Sequence, residues 1–229
     1  MTSTAVTHLK PSAELAERVL LPGDPHRALA VAQALLEKPP RMFNHSRGLW
    51  GYSGIAADGE PLTVQSTGMG GPSAAIVCEE LIALGARRLV RIGTCAALDD
   101  GLELGALLAA ETVLALDGAS AALGADGPLA PDPHMLARLV EAGAAPATVA
   151  SRDLFYDGGD GQPAPGAIAV ELETAAVLGV AARHGVPAAA VLGVARRAGM
   201  NGAGSLDGEQ IEALGLRLGD AGYAAVRSR

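Results

Sequence analysis

The sequence lacks any apolar run that is both long enough and free enough of charge to cross a bilayer, and its opening residues, MTSTAVTHLKPSAELAERV, lack the apolar core of a signal peptide. A cytoplasmic protein without a membrane partner is expected. Cysteine is scarce: Cys78 falls in a helical pattern and Cys95 follows a strand-like run. Neither has metal-ligand spacing or a secretory context, so both read as packing thiols, and no metal site is expected. Surplus positive charge is also missing. The formal net charge is −8, which excludes a broad footprint for nucleic acid and requires any anion to be gripped by a local pocket. No repeat or domain linker appears either. The Gly, Ala, Asp and Pro between Ala119 and Pro133 read as an excursion from the core, so residues 1–229 read as one domain.

What is present is apolar and finely divided. Nearly half of the residues are hydrophobic, enough for a sizeable core. They fall in short continuous runs, RVLLPG, PLTVQSTG, RLVRIGT and AAAVLGVA, each stopped by Gly or Pro, with helical spacing between them. That alternation predicts an α/β fold with a mixed, mostly parallel central sheet flanked by helices. Ala74 to Leu84 places Ile76, Val77, Leu81 and Leu84 on one helical face, and Glu173 to His184 does the same with Ala176, Val177, Val180 and Ala181. Beyond Arg197 the run AGMNGAGSLDGEQ predicts a mobile loop before a helix starting near Glu209.

Three stretches carry polar chemistry. In LLPGDPHR a strand runs through Gly23 into a helix from about His26, which presents backbone N–H groups and a helix dipole to an anion, with Arg27 in the first turn. An ordinary capped turn explains the same residues. In VRIGTCAA, Arg91 sits inside an apolar strand. A buried guanidinium requires an anionic partner, and Thr94 offers donors beside it. That partner is a bound anion or, alternatively, a buried Asp or Glu. In AVELETAA, Glu171 and Glu173 alternate on an extended segment, so both can face one pocket and suit sugar hydroxyls. Acids also favour helix N-termini for dipole reasons. The STGMGG run, with Gly68, Gly70 and Gly71, permits close approach of backbone to a ligand.

Together LLPGDPHR, the arginine of NHSRG, STGMGGPS, VRIGTCAA, SRDLFY and VELETAA occur in the order found in the nucleoside phosphorylase-I family, which the chain resembles from about His8 to Arg196. Within that family STGMGGPS, EELIALG, RIGT and LDGAS look most similar to uridine phosphorylase, with hexameric purine nucleoside phosphorylases the nearest rival. The resemblance implies an enzyme, a pentosyltransferase without a cofactor that uses inorganic phosphate as co-substrate. It also implies a homohexamer built as a trimer of dimers with shared active sites. By motif, Gly23, Arg27, Arg91 and Thr94 would bind phosphate, and Arg47 would reach in from a neighbour. Glu173 would hold the ribose hydroxyls, with Met69, Glu171 and Leu172 lining the sugar site. His8 of the neighbour would close on the 5′ end, and Phe155 would stack near the base. Arg91, Arg196 and Glu173 are the candidate catalytic residues.

The chain departs from the family in ways that bear on the base. Leu172 stands where methionine is usual, a swap of similar volume. Gly48 follows Arg47 where some uridine enzymes carry an acid for a monovalent cation. The segment DGGDGQPAPG lacks the Gln-x-Arg pair that reads uracil, leaving Gln162 as substitute. The acid of the purine enzymes is replaced in Val194-Ala195-Arg196, and an arginine cannot act as that acid. It can stabilise a departing uracil, so uridine is the expected substrate, with a purine nucleoside as the alternative. A hydrolase and a non-catalytic nucleoside-binding protein are the remaining readings. Intact Arg27, Arg47 and Arg91 argue against the first, and the retained phosphate ligands against the second.

Overall fold

The computed structural model describes residues 6–156, 164–199 and 204–227. Nine strands form one continuous sheet: β1 (Arg18–Pro22), β2 (Arg41–Asn44), β3 (Gly51–Ile55), β4 (Pro61–Gln65), β5 (Arg88–Ala97), β6 (Leu107–Leu116), β7 (Ala145–Arg152), β8 (Ala169–Glu171) and β9 (Ala188–Arg197). Their order is β2-β3-β4-β1-β5-β8-β7-β6-β9, and β9 also pairs with β5. The second half of the sheet therefore closes into a ring, and β2, β3, β4 and β1 extend from it. The β1–β4, β1–β5, β5–β9, β6–β7 and β7–β8 pairings are parallel. The β2–β3, β3–β4, β5–β8 and β6–β9 pairings are antiparallel. The mixed, mostly parallel sheet read from the sequence is found; its closure was not anticipated.

Helices cover both faces, which is why the strands are apolar runs and do not alternate with polar residues. On one side lie α2 (Gly71–Leu84) and α5 (Thr174–His184). On the other lie α1 (Pro25–Leu35), α4 (Pro133–Glu141) and α6 (Gly208–Val226). Along β1, Val19 and Leu21 pack with Val77 and Leu81 of α2 and with Val177 and Val180 of α5. Leu20 between them packs with Val31, Leu139, Leu214 and Leu218. Each such fully buried leucine contributes about 1.5–3 kcal/mol relative to exposure.

Local signals set the helix ends. Asp24 caps α1 ahead of Pro25 at its first turn, a position proline suits because its missing N–H has no helical partner there. Asp207 and Gln210 form a reciprocal capping box on α6, so that helix begins one residue before the expected Glu209. Part of the loop expected to precede it, residues 200–203, lies outside the described residues. One expectation is corrected. Ile76 is 42% exposed, because the buried face of α2 runs through Ala74, Val77, Cys78 and Leu81. The Ala119–Pro133 excursion also begins with a short helix, α3 (Gly118–Ala122), capped by Asp117.

Candidate active site

Parallel pairing of β1 with β4, in the register Leu20↔Val64, carries their C-terminal loops to the same edge. Thr67 N–H donates to the Pro22 carbonyl at 2.8 Å and Gly68 N–H to the Gly23 carbonyl at 3.1 Å, so the PGDP turn and the STGMGG loop become one surface. The turn is not an open anion cradle. The Asp24 carboxylate accepts the amides of His26 at 3.0 Å and Arg27 at 3.3 Å, which corrects the expectation of free helix-start N–H groups. What remains for an anion is the Arg27 guanidinium. It is held against α6 at Gly215, where a Cβ would stand 3.3 Å from Arg27 Cγ and Nε. Burial lowers the Arg27 pKa and the like charge of Arg91 lowers it further, against an opposing contribution from Asp24. An anion near Arg27 and Arg91 relieves both effects.

Arg91 is 2% exposed at the centre of the sheet. Its Nε donates to Glu171 Oε2 at 3.1 Å and to Thr174 Oγ1 at 3.2 Å. Its Nη2 lies 3.0 Å from Glu171 Oε2 and pairs closely with Glu173. The two carboxylates outweigh the lowering effect of burial and raise the Arg91 pKa. The expectation that phosphate takes the place of protein carboxylates as its partner is thus corrected: Arg91 has both acids. One face of the guanidinium is nevertheless left over, since Nη1 is buried without a hydrogen-bond partner. A buried cationic donor of this kind is costly unless matched. The glycine of RIGT is explained by the same contact. A Cβ at Gly93 would stand 2.7 Å from Arg91 Cζ and Nη2, so only glycine two positions on leaves room for the side chain to lie along its own strand.

The paired glutamates divide their work. Glu171 accepts the amides of Glu173 at 2.9 Å and Thr174 at 2.9 and 3.0 Å and the hydroxyl of Ser151, as well as Arg91. It ties down the amides that open α5, whose N-cap residue is Glu173, and with both oxygens occupied it leaves no free acceptor for a ribose hydroxyl, which corrects the ribose-lining expectation for Glu171. Glu173 has fewer partners, the Gly70 amide at 2.7 Å and Arg91. It therefore remains the carboxylate suited to a sugar. Gly70 itself has φ 84°, a left-handed conformation that side chains disfavour.

Around this centre, Phe155 and Arg196 are brought together, the Arg196 Cζ lying 4.1 Å from the ring centroid. Arg197 turns away, donating to the carbonyls of Asp100 and Leu102. Thr94 and Leu172 are half-buried. Thr94 follows Arg91 by three residues along β5. Met69 is 86% exposed and does not line an enclosed sugar site within one chain. Arg47 is exposed and makes no ion pair with the described residues; its φ of 60° is the one positive value among described non-glycine residues. His8 is half-buried, and no hydrogen bond joins it to Arg91 or Glu173. Gln162, with Asp157 and Asp160, lies outside the described residues. Sequence reasoning missed Thr174 and Ser151. The first adjoins Glu173 in VELETAA and was within reach; nothing in SRDLFY marks the second as a partner of Glu171.

The phosphorylase superfamily profile matches residues 17–222. A DeoD-type purine nucleoside phosphorylase of Geobacillus kaustophilus is 35% identical over 187 residues, covering 76% of this chain and 78% of that protein. The enzyme of the same name from Caldanaerobacter subterraneus is 35% identical over 193 residues, covering 76% and 80%. Among solved structures, purine nucleoside phosphorylase from Toxoplasma gondii in complex with immucillin-H superposes with a TM-score of 0.80. That match covers 93% of this chain and 91% of the other at 23% identity, a likeness of fold.

Proposed function

The chain belongs to the phosphorylase superfamily, as a member of its nucleoside phosphorylase-I family, and we propose that it cleaves the N-glycosidic bond of a purine nucleoside by phosphorolysis. The observation that carries the proposal is the Arg91 cluster: a buried guanidinium with one unmatched nitrogen, electrostatically coupled to Arg27 and paired with the sugar-facing Glu173. Phosphate held by Arg91 and Arg27 is placed beneath C1′ while Glu173 fixes the ribose hydroxyls. As the bond to the base lengthens, the hydrogen phosphate dianion stabilises the oxocarbenium-like carbon and then bonds to it, its O–H proton passing through solvent to the departing base, giving ribose 1-phosphate and free base. Inorganic phosphate is the co-substrate and no cofactor takes part.

The purine assignment revises the expectation of uridine and rests on the relatives, which are named purine nucleoside phosphorylases over three quarters of their length. Arg196, stacked on Phe155, then stabilises the leaving base by hydrogen bonding, since it cannot deliver a proton. The same residue is the observation favouring a second reading, uridine, because a fixed cation serves a departing uracil well. Initial rates at equal phosphate over inosine, guanosine, adenosine and uridine decide between them. A purine cleaved fastest supports the first reading and uridine fastest the second. Cytoplasmic location, a homo-oligomer with Arg47 and His8 reaching into a neighbour, and assembly of dimers into a hexamer complete the proposal.

A further inference from the structure

Glu80 is 4% exposed, on the buried side of α2, and takes no part in the site described above. Its carboxylate faces an irregular arm from the N-terminal segment, bent at His8, and accepts three consecutive amides: Thr7 at 2.9 Å, His8 at 2.9 and 3.0 Å, and Leu9 at 2.7 Å. The arm continues onto a second buried anchor. Asn44, at 0% exposure, accepts the Lys10 amide at 2.8 Å through Oδ1, and its Nδ2 donates to the Leu49 carbonyl. Asn44 thereby holds both the arm and the turn that carries Arg47, which sits in the left-handed region at φ 60°.

We infer that Glu80 is a positioning residue that fixes the His8 imidazole for the 5′ end of the nucleoside bound by a neighbouring subunit, with Asn44 tying the same arm to the Arg47 turn. The inference rests on the shared-site reading given under Proposed function. Its physical basis is geometric. A buried carboxylate binding three successive amides fixes the φ and ψ of the intervening residues, so the direction in which the His8 side chain leaves the backbone is set before substrate arrives. A solvent-facing terminal segment without such an anchor samples many conformations, and ordering it would oppose binding. Burial alone would raise the Glu80 pKa. The amides of Leu9, His8 and Thr7 outweigh it and lower it, so the acceptor is ionised at neutral pH.

The test compares a nucleoside with its 5′-deoxy counterpart, inosine with 5′-deoxyinosine or uridine with 5′-deoxyuridine according to the base preference, at saturating phosphate. Glu80→Ala, Glu80→Gln and His8→Ala are assayed beside the parent. Oligomer mass and melting temperature are checked for each, and Glu80→Gln, which keeps an acceptor oxygen and the packing, serves if the alanine variant does not fold. The expected result is a KM for the full nucleoside raised roughly three- to tenfold by Glu80→Ala and by His8→Ala, as for loss of one hydrogen bond. The constants for the 5′-deoxy substrate stay unchanged, and the double variant is no worse than His8→Ala alone. Equal losses on both substrates would make Glu80 structural only and overturn the inference. A His8→Ala penalty without a Glu80 penalty would also overturn it while leaving the His8 role intact. A silent His8→Ala would remove the arm from the sugar site, and a parent without phosphate-dependent cleavage would sink the proposed function itself.

Discussion

At Gly93 an alanine methyl would stand 2.7 Å from the guanidinium of Arg91, which Glu171 and Glu173 hold from the other side. Gly93→Ala is therefore expected to displace Arg91 and raise the apparent KM for phosphate while the protein still unfolds in one cooperative transition, read by saturation kinetics beside thermal denaturation. Arg91→Ala acts on two counts. Losing the charge proposed to face phosphate is expected to lower turnover on the order of 10²-fold or more. Leaving two buried carboxylates without their cation destabilises the fold by about 3–5 kcal/mol, which denaturant unfolding measures. The cationic residue was legible because a guanidinium has no other business in an apolar strand. Its partners were not, because a protein acid and a bound anion satisfy it equally well on paper. Glu171 shows the same ambiguity resolved: its spacing from Glu173 fits a sugar pocket and a helix start alike, and only the amides of residues 173 and 174 decide for the helix start. The thiols follow their reading as packing groups. Burial pushes Cys78 and Cys95 up to about 12, so both stay protonated at neutral pH, and no labelling by a thiol-directed alkylating agent is expected until the chain unfolds.

Among the elements, α2 links this chain's own site to the N-terminal arm: Gly70 at its start meets Glu173, and Glu80 further along binds Thr7, His8 and Leu9. Because the Glu80 pKa is lowered on folding, its contribution is fully present above the unfolded value of about 4.3 and is lost as pH falls through the lower folded value. The melting-temperature gap between parent and Glu80→Gln should accordingly be largest near neutral pH and shrink below about pH 4. A gap that grows on acidification would contradict the assigned direction. Helix and strand identities were readable from apolar periodicity and capping residues such as Asp24 and Asp207. The ring closure was not, since it depends on β8, three residues long, and on the long-range pairing of β9 with both β5 and β6. No local pattern encodes such contacts.

For the molecule as a whole, the groups proposed to hold phosphate and ribose lie within one chain, while Met69 is 86% exposed and no hydrogen bond or ion pair joins Arg47 or His8 to Arg91 among the described residues. If neighbours complete each other's sites, mixing an Arg47→Ala subunit with an Arg91→Ala subunit regenerates some sites bearing neither lesion, and activity should reappear in verified mixed oligomers. The claim on which everything else depends is that Arg27 and Arg91 form a phosphate site. Arg27 tests it most cleanly, because its guanidinium makes no hydrogen bond or ion pair with the described residues and its loss leaves the Arg91–Glu171–Glu173 cluster in place. Phosphate-saturation kinetics of Arg27→Ala at a fixed saturating nucleoside concentration should show an apparent phosphate KM raised about ten- to a hundredfold, the range for a lost charged hydrogen bond, with an unchanged fold. A phosphate KM equal to that of the parent would contradict the assignment of this cluster as the phosphate site.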